Sequence, residues 1–271
     1  MILISGCSFT SEYSDYNTWS TYLTEKIKDV DTVRNVSAGG SSNKLISRRV
    51  FWHLNNNFNA KKYDYAIIQW STIDRWDYPV FVSEDRASDF PRMNMHPERI
   101  NKINYMSNGT DTFGYGSKFY ETYYSLYGAV IDTLENIYHT QLYLNSINMP
   151  YKMITIGNLF TLSTTIKQIQ NLMQSGGDYY GQQENVLQKM EKIQLPFEDT
   201  DSLPFLLKKI NYDKFLFTDD IRNPLGGGML EWLYKEKNEY PKINWHFDGK
   251  QSYNFYNEFI LPKILIANGL I

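Results

Sequence analysis

The sequence predicts a three-layer α/β domain built on a parallel sheet, and two observations support that prediction. First, short apolar segments alternate along the chain with longer segments of helical periodicity, as in proteins whose parallel strands are joined by helices. Second, the apolar segments contain few polar residues, which is typical of strands buried on both faces of a parallel sheet. The predicted strands cover residues 1–4, 32–36, 65–70 and 151–156.

The spacing of apolar residues predicts the helices that connect these strands. Trp19, Leu23 and Ile27 lie on one face of a helix predicted over residues 17–30. Ser42 or Asn43 is a suitable N-cap for the next helix, which extends to about residue 57. Further helices are predicted over residues 120–148, 168–173, 182–193, 206–212 and 250–266.

Residues 1–271 are predicted to form a single domain with two long insertions. Residues 71–118 interrupt the alternation with polar and aromatic residues, and a loop of this length in a compact domain is usually a lid or a binding loop. Residues 157–240 are irregular and mainly helical in pattern. Both insertions are expected to lie over the carboxyl edge of the sheet.

The composition argues against several classes of protein. The net charge is -3, the pI is about 5.8 and no basic stripe is present, so no nucleic-acid partner is expected. A single cysteine, Cys7, allows no intrachain disulfide, and the four histidines lack the spacing of a metal-binding motif. No apolar run approaches the ~20 residues of a membrane span, and no signal peptide is recognisable. We therefore expect a soluble cytoplasmic protein that needs no metal or cofactor.

Ser8 is the first candidate for chemistry, because it directly follows the first predicted strand. Gly6 ends that strand, and Ser8 then lies at the carboxyl edge of the sheet, where ligands bind in open α/β folds. A serine on a sharp turn between strand and helix is a common arrangement for a nucleophile. The alternative interpretation is that Ser5, Ser8 and Thr10 only cap a helix or close a turn.

Four short motifs follow one another at the ends of predicted strands. They are GCSFT at residues 6–10, NVSAGG at 35–40, IIQWST at 67–72 and NWHFD at 244–248. In this order they resemble the blocks of the SGNH (GDSL-like) hydrolase family, in particular its divergent phage and bacterial members. The first motif has Cys7 where that family usually has an aspartate. The resemblance implies a flavodoxin-like fold and a serine nucleophile.

Two positions depart from the pattern of that family. Ile73 stands where the third block has an asparagine that stabilises an oxyanion, and Asn244 stands where the last block has an acid. A different register would make Asp248 the acid, but it would put Lys250 and Gln251 in the place of the histidine. We prefer the register that retains His246, in which Asp248 becomes the N-cap of the closing helix.

The resemblance also implies a role for each matching residue. Ser8 would attack the substrate, His246 would act as the base, and Asn244 would orient the histidine. The backbone N–H groups of Ser8 and Gly40 would form the oxyanion hole.

Substrate-binding candidates lie at the start of the second predicted helix and at the end of the third predicted strand. They are Asn43, Trp70 and Arg75. We expect Trp70, Arg75 and Trp76 at the mouth of a cleft beside Ser8, where an aromatic ring suits a sugar, and the alternative is that these three side chains only pack the long loop. Arg48 and Arg49 are interpreted as surface charges of the predicted helix.

The implied function is hydrolysis of an ester, with an O-acyl group on a glycan or a similar ester as the expected substrate. Acyl transfer to an alcohol would use the same site. The alternative is a catalytically impaired binding or structural module with the same fold, for example a component assembled into a phage particle. Ile73 and Asn244 favour this alternative, whereas Ser8, Gly40 and His246 favour the enzyme.

Overall fold

The fold was analysed in a computed structural model of the 271-residue chain. The structure describes residues 1–11, 17–29, 31–55, 63–73, 75–77, 105–106, 125–157, 202–217, 227–237, 239, 241–242 and 246–271. The helices predicted over 168–173 and 182–193 lie outside these residues, as do Asn244 and most of the 71–118 insertion.

A parallel sheet forms the centre of the molecule. The described residues contain six strands: β1 (Ile2–Ser5), β2 (Val33–Asn35), β3 (Tyr65–Trp70), β4 (Trp76–Asp77), β5 (Tyr105–Met106) and β6 (Tyr151–Thr155). Four of them form one sheet in the order β2-β1-β3-β6, and every neighbouring pair in it is parallel. The short strands β4 and β5 pair separately and antiparallel. The four predicted strands are therefore confirmed as parallel neighbours.

The sheet continues beyond β6 at Phe215. This residue forms a parallel bridge with Met153, and the Leu216 N–H donates to the Met153 carbonyl over 2.8 Å. Residue 215 thus occupies a fifth position, next to β6. The resulting order, 2-1-3 followed by the two later segments, is the flavodoxin-like order of doubly wound sheets.

Helices cover both faces of the sheet. They are α1 (Trp19–Ile27), α2 (Asn43–Asn55), α3 (Leu126–Ser146), α4 (Ser202–Lys209), α5 (Met229–Lys237) and α6 (Gly249–Phe255), with a 3₁₀ turn at Tyr212–Lys214 and a π-helical continuation of α6 over Tyr256–Ile266. Helix α1 packs with α6 and its continuation, and α5 also contacts α6. Helix α2 packs on α3, which in turn packs on α4. Right-handed crossovers put α1 and α2 on opposite faces, so the fold has the predicted three layers.

The second predicted insertion is in part an integral piece of the core. Leu206, Phe215, Met229 and Leu233 all lie between residues 157 and 240, and each is at least nine-tenths buried in the hydrophobic core. Their apolar side chains complete the two helical layers and the fifth sheet position. The expectation that this whole segment lies over the carboxyl edge is therefore wrong for residues 202–217. Helix α5, by contrast, begins beside the carboxyl end of β6, where the Leu230 N–H donates to the Ile156 carbonyl over 2.8 Å.

The described helices include none that is both long enough and apolar enough to cross a membrane.

The strand order determines where a site can form. From β1 the chain moves to β2 on one side, and from β2 it returns to β3 on the other side. The loops that leave β1 and β3 therefore diverge and open a crevice at the carboxyl edge between these strands, which is the usual ligand position in such sheets.

Candidate active site

Ser8 and His246 are in direct contact at this crevice. The Ser8 Oγ and the His246 Nε2 are 2.6 Å apart, although the two residues are separated by 238 positions in the sequence. This distance lies within the range that proton transfer to a general base requires. Ser8 is 5% exposed and His246 is half-buried, so the pair is largely shielded from bulk water.

A tight turn after β1 presents Ser8. The N–H groups of Thr10 and Ser11 both donate to the Cys7 carbonyl, over 3.0 and 2.9 Å, and Ser8 lies inside this turn. Only glycine fits at position 6, because a Cβ atom there would be 2.7 Å from the Thr10 Oγ1 and 2.9 Å from the Thr10 Cβ. The first and last residues of the GCSFT motif are therefore explained by their mutual packing.

The Thr10 side chain ties this turn to β3. Its hydroxyl donates to the Gln69 Oε1, and the Cys7 Sγ donates to the same oxygen over 3.8 Å. Gln69 is fully buried, and its Nε2 donates to the Met229 sulfur at the start of α5. Sequence analysis assigned no role to Gln69, although a glutamine within a run of apolar strand residues is a signal that could have indicated a buried hydrogen-bond partner.

His246 is held by aromatic packing and by the helix that follows it. Its ring centroid lies 4.8 Å from that of Phe9, and the Phe9 ring also makes an edge contact with Phe247 at 5.9 Å. Two residues after His246, the Asp248 carboxylate accepts a hydrogen bond from the Gln251 N–H over 2.7 Å. The Gln251 side chain in turn accepts the Asp248 N–H, which completes a capping box at the start of α6.

This capping box supports the register in which Asp248 is not the acid of the site. The Asp248 carboxylate is used as the N-cap of α6, and its second oxygen lies 3.9 Å from the Lys242 ammonium group. The Gln251 Nε2 donates to Glu239, and this hydrogen bond is the main cause that lowers the pKa of the Glu239 carboxyl. The prediction that Asp248 caps the closing helix is confirmed, whereas the role of Asn244 stays a prediction.

Gly40 lies in the loop between β2 and α2, with a positive φ of 73° that favours glycine. The loop is anchored to the turn of Ser8, because the Ala38 N–H donates to the Gly6 carbonyl over 3.3 Å. The role of the Gly40 N–H as an oxyanion donor stays a prediction.

Arg49 holds the loop of Gly40 from the side of α2. Its Nη1 donates to the Val36 carbonyl over 3.2 Å and to the Ser41 Oγ over 3.1 Å. The interpretation of Arg49 as a plain surface charge is therefore wrong, because the folded loop brings two acceptors to its half-buried guanidinium group. The sequence alone does not distinguish it from the neighbouring Arg48.

Asn43 was predicted to bind substrate, but both the oxygen and the nitrogen of its side-chain amide form hydrogen bonds within the protein. Its Oδ1 accepts the Ser71 N–H over 2.7 Å, and its Nδ2 donates to the Ser71 carbonyl and to the Thr133 Oγ1 over 3.3 and 3.1 Å. These contacts join α2, α3 and the end of β3. They make Asn43 a structural clamp and do not support contact with a substrate.

The end of β3 differs from the arrangement expected there. Trp70 is 0% exposed, so its ring has no surface to offer a sugar and a role in lining an open cleft is not supported. Arg75 is half-buried, and its Nη1 and the Ser71 Oγ have no hydrogen-bond partner within the described part of the chain. Ile73 packs in the hydrophobic core and is 2% exposed.

Fold and contact together define an α/β protein with a serine–histidine pair at the switch point of a parallel sheet. Comparison with models of known protein families finds no match to this chain, and comparison with curated proteins finds no match either. A function must therefore be inferred from the geometry around Ser8 and His246.

Proposed function

We propose that the chain is a serine hydrolase of the SGNH type that cleaves an ester through Ser8 and His246. The observation that carries the proposal is the 2.6 Å contact between the Ser8 Oγ and the His246 Nε2. A serine hydroxyl is a weak nucleophile by itself, and an adjacent imidazole is the usual means of activating it. The buried turn, the aromatic support of the histidine and the position at the switch point are consistent with this role.

The reaction would proceed in two stages. Neutral His246, with its proton on Nδ1, takes the Ser8 proton on Nε2 while the Ser8 Oγ forms a bond to the ester carbonyl carbon. The tetrahedral intermediate collapses, and the imidazolium returns a proton to the departing alcohol. Water then attacks the acyl-serine with the same base, which releases a carboxylic acid and regenerates the Ser8 hydroxyl.

Negative charge develops on the carbonyl oxygen in both stages. In the proposed hole the N–H groups of Ser8 and Gly40 donate to this oxygen. The third donor of the resembled family has no equivalent at Ile73, whose side chain is apolar and buried. Removing one such donor typically lowers the rate by about 10²–10³. We therefore expect a slow enzyme.

The proposed substrate is an O-acyl group on a glycan. This substrate class follows from the resemblance of the four motifs. The Arg75 Nη1 and the Ser71 Oγ at the end of β3 do not add support, because both atoms are buried, although neither has a hydrogen-bond partner within the described residues. Stacking of a sugar on Trp70 is not part of the proposal, because its ring is buried.

A second candidate is a binding or structural module that retains this fold without turnover, for example as a component of a phage particle. The specific observation in its favour is again Ile73, because an isoleucine side chain in the core cannot replace the asparagine amide as an oxyanion donor.

The test is hydrolysis of a short aryl ester and of an O-acetylated polysaccharide, followed as release of phenol and of acetate. Wild type should show activity that Ser8→Ala and His246→Ala both reduce by at least about 10³. His139→Ala is the matched control, since His139 is an exposed histidine on α3, and it should retain full activity. Release of neither product by folded wild type would favour the binding module, and equal activity in Ser8→Ala would overturn the role of Ser8 as the nucleophile.

A further inference from the structure

The carbonyl oxygen of Thr10 connects the turn of Ser8 to α1 and to β2 through three hydrogen bonds. It accepts hydrogen bonds from the Thr18 Oγ1 over 3.1 Å, from the Ser20 Oγ over 2.6 Å and from the Asn35 Nδ2 over 3.0 Å. Thr18 and Ser20 belong to the start of α1, and Asn35 is the last residue of β2. The end of the turn that presents Ser8 is therefore fixed by α1 and by β2.

Asn35 differs from the other two donors because its side chain also reaches the loop of Gly40. Its Oδ1 accepts the Ser37 N–H over 3.0 Å, and Ser37 lies three positions before Gly40 in that loop. Its Nδ2 donates to the Ser20 Oγ over 2.9 Å as well as to Thr10. One half-buried amide thus bridges the turn of Ser8 and the loop of Gly40.

This bridge matters because the two proposed oxyanion donors belong to separate segments. The N–H groups of Ser8 and Gly40 must point at one oxygen, so the relative position of the two segments decides whether the hole works. A displacement of about 1 Å near a reacting centre can lower a rate by about 10². The Ala38 N–H, which donates to the Gly6 carbonyl over 3.3 Å, forms a further and longer link between the two segments.

We infer that Asn35 is a positioning residue, which sets the loop of Gly40 against the turn of Ser8 so that their N–H groups converge on the oxyanion. This inference rests on the proposed function. The amide is required because its Nδ2 donates to the Thr10 carbonyl, whereas its Oδ1 accepts the Ser37 N–H. An aspartate of the same shape would retain the acceptor for Ser37 but would place a negative oxygen against the Thr10 carbonyl.

The test compares Asn35→Asp with wild type in steady-state kinetics on the aryl ester, well below the melting temperature of both proteins. We expect kcat to fall by about 10² while KM changes less than about threefold, because an interaction made mainly in the transition state is lost. A residue that only stabilises the fold would lower the melting temperature and leave kcat of the folded protein unchanged.

Asn268→Asp is the matched control. The Asn268 Nδ2 near the end of the closing helix also donates to a main-chain carbonyl, that of Ile264, so the substitution puts the same charge against the same type of acceptor outside the turn of Ser8 and the loop of Gly40. Its kcat should equal that of wild type. If Asn35→Asp does not fold, Asn35→Ala takes its place with the same expected loss.

The outcomes separate this inference from the proposed function. Wild type that lacks hydrolysis dependent on Ser8 would overturn both. Active wild type together with an unchanged kcat in the folded Asn35 variant would overturn the inference alone. A fall in kcat that Asn268→Asp reproduces would also overturn it.

Discussion

The carboxyl ends of β1 and β3 are neighbours in the sheet, yet they are built in different ways. After β1, the turn around Ser8 is anchored at Gly6, at the Thr10 side chain and at the Thr10 carbonyl, and the Ser8 hydroxyl faces His246. After β3, an isoleucine packs into the core where the resembled family has a polar donor. Two side-chain groups nearby, the Ser71 Oγ and the Arg75 Nη1, have no hydrogen-bond partner within the described residues.

The difference indicates that two parts of the proposed chemistry can vary independently. Proton transfer needs the contact between Ser8 and His246, which the end of β1 and the segment before α6 supply. Stabilisation of the oxyanion needs donors from several loops, and the end of β3 offers none at position 73. A protein with the first part and an incomplete second part should turn over slowly.

The largest expected effect concerns the orienting residue of the base. Asn244 lies outside the described residues, and its role comes from the resemblance of the last motif. Asn244→Asp should raise kcat on an aryl ester by up to ~10³–10⁴, since a carboxylate stabilises the imidazolium and an amide does not. The measurement is a pair of pH–rate profiles between about pH 6 and 9, because a histidine base works only when neutral.

The control for this change is Ser8→Ala in both backgrounds. A gain that persists without Ser8 would contradict the proposed role. No gain in a folded variant would mean that Asn244 does not orient His246, or that the oxyanion hole at the end of β3 sets the rate.

The next effect concerns the anchoring of the Ser8 turn at Gly6. Gly6→Ala should lower kcat by about 10², because the new methyl group would stand 2.7 Å from the Thr10 Oγ1 and must displace the turn. Thr10 is also hydrogen-bonded to Gln69 of β3, so a displacement of Thr10 would disturb the attachment of the turn to the sheet. Steady-state kinetics and thermal unfolding of the same preparations would check this.

Gly249→Ala is the matched control for Gly6→Ala. A Cβ atom at Gly249 would make only an ordinary contact, 3.5 Å from the Tyr22 hydroxyl, so its kcat should be unchanged. Unchanged kcat in Gly6→Ala would contradict the account of a rigidly built nucleophile turn.

The smallest expected effect on turnover is at Ile73. Ile73→Asn, which introduces the side chain of the resembled family, should give no gain in kcat and should lower the free energy of unfolding by about 3 kcal/mol. The reason is that the amide replaces a core side chain and would be buried without partners. Urea unfolding would measure the loss of stability.

Ile266→Asn provides the comparison for Ile73→Asn. Ile266 is 58% exposed, and its substitution should change the free energy of unfolding by no more than ~0.5 kcal/mol. A kcat that rises about tenfold or more in Ile73→Asn would contradict the placement of this side chain in the core.

Much of the fold could be predicted from the sequence, because buried positions of strands and helices are occupied mainly by apolar residues. The apolar strand over residues 65–70 and the spacing of Trp19, Leu23 and Ile27 predicted β3 and α1. Ser42 accepts the Leu45 N–H as an N-cap, as predicted, over 3.3 Å. Residues 202–217 were misplaced over the sheet edge, because their irregular pattern does not reveal that Phe215 pairs with Met153.

The candidate site was less predictable, because side-chain contacts depend on segments far apart in the chain. The positions of Ser8 and His246 in their motifs suggested that they would meet, and the fold brings them into contact. The clamp formed by Asn43, the anchoring by Arg49 and the bridge formed by Asn35 depend on which acceptors the loops bring near. Such roles cannot be inferred from residue type alone, since surface asparagines and arginines are common.

The most direct test of the central claim is covalent labelling of the protein by a fluorophosphonate, with the labelled peptide identified by mass spectrometry. If His246 activates Ser8, the reagent should modify Ser8 and no other serine in wild type, and His246→Ala should label at least about 10³ times more slowly. His139→Ala should label at the wild-type rate. Equal labelling with and without His246, or no labelling of the folded wild type, would contradict the claim that this contact is a working nucleophile and base.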